Sequence, residues 1–157
     1  MKPDSQIEFF GLVELYHEGR LGKPLVKSYV ELLSELSNRI YNLEDTYKRL
    51  VDIATEGRYN ETVLWAVRER QVVGTAQATL LNIATPKVYV NEVVVTETLR
   101  KSGIGHDLMS LLLARIEAKW PQARRIELTS SPKRNTRSFY ERLGFQTRET
   151  DVYSMKL

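Results

Sequence analysis

The 157-residue sequence predicts a single α+β domain built on a mixed sheet. Three observations carry that prediction. Helical periodicity dominates from Pro24 to about residue 55, and strand-like segments take over between Thr62 and Val95. A glycine-containing loop and one long amphipathic stretch then follow directly on the last of those strands. At this length one full core can form, and 42% hydrophobic with 27% charged residues is the composition of an ordinary globular chain.

The elements are expected as follows. Ile7 to Leu15 mixes apolar and acidic residues and reads as a first strand or a helix. Pro24 opens a helix whose apolar positions are Leu25, Tyr29, Leu32, Leu33 and Leu36. Asn42 is an N-cap for a second helix, with Asp45 in its first turn and Tyr47, Leu50, Val51 and Ala54 on its apolar face. Gly57 is its expected stop. Thr62 to Val67 and Val72 to Ile83 form a hairpin around the polar turn Arg68 to Gln71, with Gly74 interrupting the second strand. Thr85-Pro-Lys87 turns the chain into a third strand, Val88 to Val95, whose Val93-Val94-Val95 end reads as covered on both faces.

Gly103 to Trp120 is predicted as a helix, with Ile104, Leu108, Leu111, Leu112, Ala114, Ile116 and Trp120 inward and Pro121 ending it. Arg124 to Ser130 is a strand, and Pro132-Lys-Arg a basic turn. Asn135 to Leu143 is a short helix stopped by Gly144, and Phe145 to Leu157 a final strand.

Composition removes several chemistries. Without cysteine there is no disulfide, thiolate metal site or cysteine nucleophile, and two histidines, His17 and His106, exclude a histidine-rich metal site. A net charge of +3 from 23 basic and 20 acidic residues is too small and dispersed to argue for nucleic acid, even with Arg124-Arg125 and Lys133-Arg134. No apolar run reaches the ~18 residues of a membrane span. Residues 1–10 lack an apolar signal core, so a cytoplasmic location is expected.

Glu92 to Gly105 is the most informative segment. It runs from a buried strand through a basic turn to a helix start, where unpaired N–H groups and the positive dipole end favour an anion. Arg100 and Lys101 are unfavourable at that helix end unless an anion is present; solvated cations are the alternative. Leu108 stands where a dinucleotide-binding loop needs a third small residue, and no Gly-Lys-Ser/Thr follows for a nucleotide-binding loop.

What remains is Arg100-x-x-Gly103-x-Gly105 between a valine-rich strand and a helix, followed by Asn135-Thr-Arg-Ser-Phe139-Tyr140-Glu-Arg-Leu-Gly144-Phe145. Together these resemble the GCN5-related N-acetyltransferase (GNAT) superfamily over about residues 88–145. The resemblance implies a mixed, mostly antiparallel twisted sheet of six to seven strands flanked by about four helices. It also implies acyl-CoA binding and acetyl transfer from acetyl-CoA to a primary amine by direct attack through a tetrahedral intermediate. Arg100, Lys101, Ser102, Gly103, Ile104 and Gly105 would wrap the pyrophosphate, largely through backbone N–H groups, with the Ile104 side chain inward. Val93 and Val95, or Val94, would pair with the pantetheine arm; Asn135 would bond the cofactor near the thiol, and Tyr140 would stand beside the sulfur.

Acyl transfer to an amine needs a proton acceptor, a donor facing the carbonyl oxygen and an acid for the leaving thiolate. Tyr140 is the candidate acid, or else a core tyrosine stacked on Phe139 and Phe145. Glu92 is the candidate base, or else a strand-edge glutamate; a carboxylate precedes a Val-Val-Val run in the similar sugar-phosphate amine acetyltransferases. His106 reads as solvent-facing, and Ser130 and Ser131 as the start of the turn before Pro132, contact with the acceptor being the alternative. Lys133 and Arg134 would meet an anion or form a plain charged turn. The expected acceptor is a small-molecule amine. A non-catalytic acyl-CoA-binding regulatory domain is the alternative. The resemblance also raises a homodimer, which the sequence does not decide.

Overall fold

The computed structural model describes residues 6–55 and 60–157. Five strands, β1 (Glu8–Gly11), β2 (Glu61–Arg68), β3 (Gln71–Leu81), β4 (Lys87–Val95) and β5 (Arg125–Glu127), form one sheet in that spatial order. The first three junctions are antiparallel and β4–β5 is parallel. Five helices accompany it: α1 (Leu12–His17), α2 (Lys23–Leu36), α3 (Leu43–Thr55), α4 (Ile104–Lys119) and α5 (Arg137–Arg142). The expected α+β class with a mostly antiparallel sheet is what the chain adopts; the ambiguous N-terminal segment is a strand followed by a helix.

Alternation along β2 builds two cores. Val63, Trp65 and Val67 pack with α1, α2 and α3, whereas Leu64 and Ala66 pack with α4. The sheet is therefore covered on both faces, which explains why its strands read as nearly continuous apolar runs. Gly74 of β3 lets α4 approach: a Cβ there would stand 2.8 Å from the Leu108 methyl. Asn42 caps α3 as expected, its Oδ1 accepting from the Asp45 N–H at 3.0 Å. The Gly57 stop lies outside the described residues.

Four expectations are corrected. The sheet has five strands among the described residues, where six to seven were expected. The final strand over Phe145 to Leu157 does not form; Val152, Tyr153, Met155 and Leu157 are all exposed, because the polar stretch 147–151 offers no apolar face that would dock them. Arg124 to Ser130 pairs only over Arg125–Glu127. Leu111, counted on the inner stripe of α4, is 41% exposed.

Candidate active site

The site arises where two neighbouring strands part. β4 pairs with β5 only through Lys87, Val88 and Tyr89. Beyond Tyr89 the β5-facing edge of β4 has no strand partner among the described residues, so its outward peptide groups are left to another donor and acceptor. A cleft of about 1400 Å³ fills the gap. It runs from Val93–Val95 to the start of α4 on one side and to α5 on the other.

A β-bulge shapes β4 at this point. Gln77 faces Asn91 and Thr75 faces Val94, so Glu92 and Val93 stand opposite the single residue Ala76. Glu92 takes a left-handed φ of 50°. The bulge inverts the side-chain parity of the strand. Val88 and Val90 belong to the α4 core, and after the bulge so do Val93 and Val95, while Val94 joins the opposite core. Glu92 is thereby turned to the α2 face, where the Tyr29 hydroxyl donates to its Oε2 at 3.0 Å.

Gln77, buried beside it, donates to the same oxygen at 2.7 Å and accepts from Arg49 at 3.1 Å, in the amide orientation its surroundings select. Burial pushes the Tyr29 hydroxyl well above its ordinary pKa, with the Glu92 charge adding to the effect.

At the other end of the cleft, the turn after β4 is folded by its own side chains. Arg100 Nε donates to the Val95 carbonyl at 3.0 Å, and its guanidinium lies 3.6 Å from Glu35 of α2. Glu35 also accepts from the Thr96 hydroxyl and the Glu97 N–H, each at 2.8 Å. The Ser102 hydroxyl donates to the Leu99 carbonyl. Gly103 is the N-cap of α4 with φ +93°, a conformation that glycine adopts without steric cost. The first N–H groups of α4 have no intrahelical acceptor, and Lys101 and Gly105 line the cleft beside them.

α5 brings in the remaining groups. Gly144 ends it in a Schellman arrangement: its N–H donates to Glu141 and the Phe145 N–H to Tyr140, at 3.0 and 3.1 Å. This fixes Tyr140 between Phe139 and Phe145, with edge-on ring centroids at 5.0 and 5.9 Å. Both the stacked tyrosine and the cleft-lining tyrosine are therefore present in one residue. Its hydroxyl bonds to no described protein group. Burial raises its pKa, and Arg134 acts in the opposite direction. Arg134 itself donates to the Leu36 carbonyl of α2 at 2.8 Å, joining opposite walls of the cleft.

Of the residues singled out in the sequence, Glu92, Val93, Val94, Val95, Arg100, Lys101, Gly103, Gly105, Asn135 and Tyr140 line this one cleft. Ile104 is buried in the α4 core, and the Ser102 hydroxyl is spent within its own turn, so these two can contribute only backbone. Sequence reasoning missed Tyr29 and Gln77. Tyr29 looked like one more position of an apolar stripe, and Gln77 is a polar residue on a strand with no local signal.

The lining holds an anion-favouring helix start, an unpaired strand edge, and a tyrosine and a carboxylate within one cleft. The model of the acetyltransferase (GNAT) family matches residues 26–145. A comparison with curated proteins finds no match. Among solved structures, an acetyltransferase of Trypanosoma brucei superposes with a TM-score of 0.75 at 21% identity, covering 96% of this chain and 100% of that one. Glucosamine-6-phosphate N-acetyltransferase from Arabidopsis thaliana gives 0.75 at 15%, covering 96% and 98%. An aminoglycoside N-acetyltransferase solved with CoA gives 0.73 at 15%, covering 99% and 98%. At such identities the superpositions establish the fold, and the family match, which spans most of the chain, establishes the rest: this chain belongs to the GNAT acetyltransferase family.

Proposed function

We propose that the protein is an N-acetyltransferase that uses acetyl-CoA and a small-molecule primary amine. The observation that carries this reading is the parting of β4 from β5, which joins the α4 N-terminus, the Val93–Val95 edge, Glu92 and Tyr140 in one cleft. Acetyl-CoA supplies the acetyl group already activated as a thioester. The N–H groups at Gly103 to Gly105, with Lys101, bind its pyrophosphate. The outward peptide groups of Val93 to Val95 hold the pantetheine arm and face the carbonyl oxygen. Asn135, at the turn before α5, bonds the arm near its thiol end. Glu92 takes the proton of the attacking amine through Oε1, the oxygen that Tyr29 and Gln77 leave open. Tyr140 donates its proton to the departing sulfur, and its raised pKa keeps that proton in place at neutral pH.

A small acceptor suits the closure of the cleft by Arg134–Leu36 and by the Glu35 contacts. A broad protein surface would have to break both. The test is thiol release from acetyl-CoA with an aminosugar, an aminoglycoside, a polyamine, an amino acid and a short peptide. Turnover with one of the small amines, abolished in Glu92→Gln, is the expected result. CoA binding with no turnover on any amine would instead indicate a regulatory domain.

A further inference from the structure

The base proposed above is held by groups the catalytic scheme does not use. Tyr29 has no solvent exposure and its ring lies 4.9 Å from that of Trp65. Its hydroxyl nevertheless reaches across from α2 to a strand residue 63 positions away. Gln77 is 2% exposed and meets the same Oε2 from β3. One oxygen of Glu92 thus accepts two bonds from two elements, while Oε1 has no hydrogen-bond partner among the described residues and Glu92 lines the cleft. Two donors on one oxygen, from two elements, fix the carboxylate plane. Arg49 of α3, itself exposed, holds the Gln77 carbonyl and so orients the amide with its nitrogen toward Glu92.

We propose that Tyr29 and Gln77 are positioning residues that fix the orientation of the Glu92 carboxylate toward the acceptor amine. The inference rests on the reading of Glu92 as the base. Tyr41 from the α2–α3 connection and Arg49 from α3 act on Tyr29 through their charge, and Tyr140 and Arg134 line the same cleft. None of these gives Glu92 a direct hydrogen bond, so Tyr29→Phe changes one donor and leaves the remaining charges in place.

The experiment pairs a spectroscopic signature with kinetics. The Glu92 carboxyl carbon is followed by NMR at pH 7 in selectively labelled protein, and assigned by its loss in Glu92→Gln. Tyr29→Phe, which keeps the ring on Trp65, removes one bond to the carboxylate and should displace that signal. With the best amine of the panel it should lower kcat about tenfold, the effect of one bond to a charged group, with KM for acetyl-CoA unchanged. Gln77→Met should act in the same direction.

Should Tyr29→Phe and Gln77→Met both leave kcat and the Glu92 signal in place, the inference is overturned, whatever happens to the melting temperature. A Glu92→Gln protein with an unaltered rate would overturn the base reading itself. A rate lost in Glu92→Gln but unchanged in Tyr29→Phe and Gln77→Met would overturn only the positioning role.

Discussion

Gly105→Ala separates what the protein needs at the start of α4 from what a ligand needs there. The Gly105 φ is not in the left-handed region, so alanine meets no backbone strain. The added Cβ would lie 3.5 Å from the Phe139 ring and 3.6 Å from a Val95 methyl, which is ordinary contact. Replacing a helical glycine should therefore stabilise the free protein by about 0.5–1 kcal/mol. For a chain of this size that raises Tm by about 1–4 °C. The same methyl projects among residues of the cleft wall. If a pyrophosphate sits against this turn, it loses at least one charge-assisted bond, about 1.5–3 kcal/mol, or about ten- to hundredfold in Kd. Calorimetric titration with CoA and a melt of the free protein give both numbers. Gly103→Ala is the control with the opposite signature: nothing lies within 4 Å of its Cβ, but φ is +93°, so the free protein should lose about 1–2 kcal/mol. A Gly105→Ala protein that melts higher and binds CoA as well as the parent would refute the placement of the phosphates.

Tyr140→Phe keeps both ring contacts and removes the hydroxyl, so kcat should fall about 10²–10⁴-fold while CoA affinity holds. Since burial raises the Tyr140 pKa, any alkaline limb of the parent should lie above the ordinary tyrosine range and be absent from the variant; a shared limb assigns it elsewhere. Glu127 of β5 is held below its ordinary value of 4.5, first by the hydrogen bond from Lys87 at 2.8 Å, then by the charges of Lys87 and Arg148. A depressed pKa stabilises the fold above the unfolded value, and the benefit is lost as pH falls through the folded one. Glu127→Gln should thus lower the urea midpoint by more at pH 7 than at pH 3. An equal deficit at both pH values would mean that packing, and not charge, is responsible.

The parts of the site that were legible are those written in consecutive residues. Gly103 and Gly105 announce the helix start because their spacing is local, and Gly144 announces the end of α5 for the same reason. Strand ends were less legible. β5 stops at Glu127 because its parallel partner turns away, and nothing in residues 124–130 records that departure. The expected last strand failed through a similar non-local cause: β-forming residues do not make a strand when no face is offered to them. Tyr29 was legible only as apolar. Its hydroxyl acquires a purpose from a carboxylate brought over by the fold, and no period or motif connects residues 29, 77 and 92.

The bulge at Glu92 ties these observations together. A non-glycine residue in the left-handed region costs about 1–2 kcal/mol, so the irregularity must be offset by something it secures. In a regular β4, Glu92 would fall on the face of Val88 and Val90 and enter the α4 core, where an unpaired carboxylate costs more than the strain. With the bulge it reaches Tyr29 and Gln77 instead, and Val94 takes a core position on the same side. A bulge also increases local twist and bends the strand. Here it lies just beyond the segment paired with β5, which ends at Tyr89, with only Val90 and Asn91 between. One inserted residue therefore accounts for both halves of the site: it aims the carboxylate, and it helps to turn β4 away from β5, freeing the edge along which an acyl-CoA arm would lie.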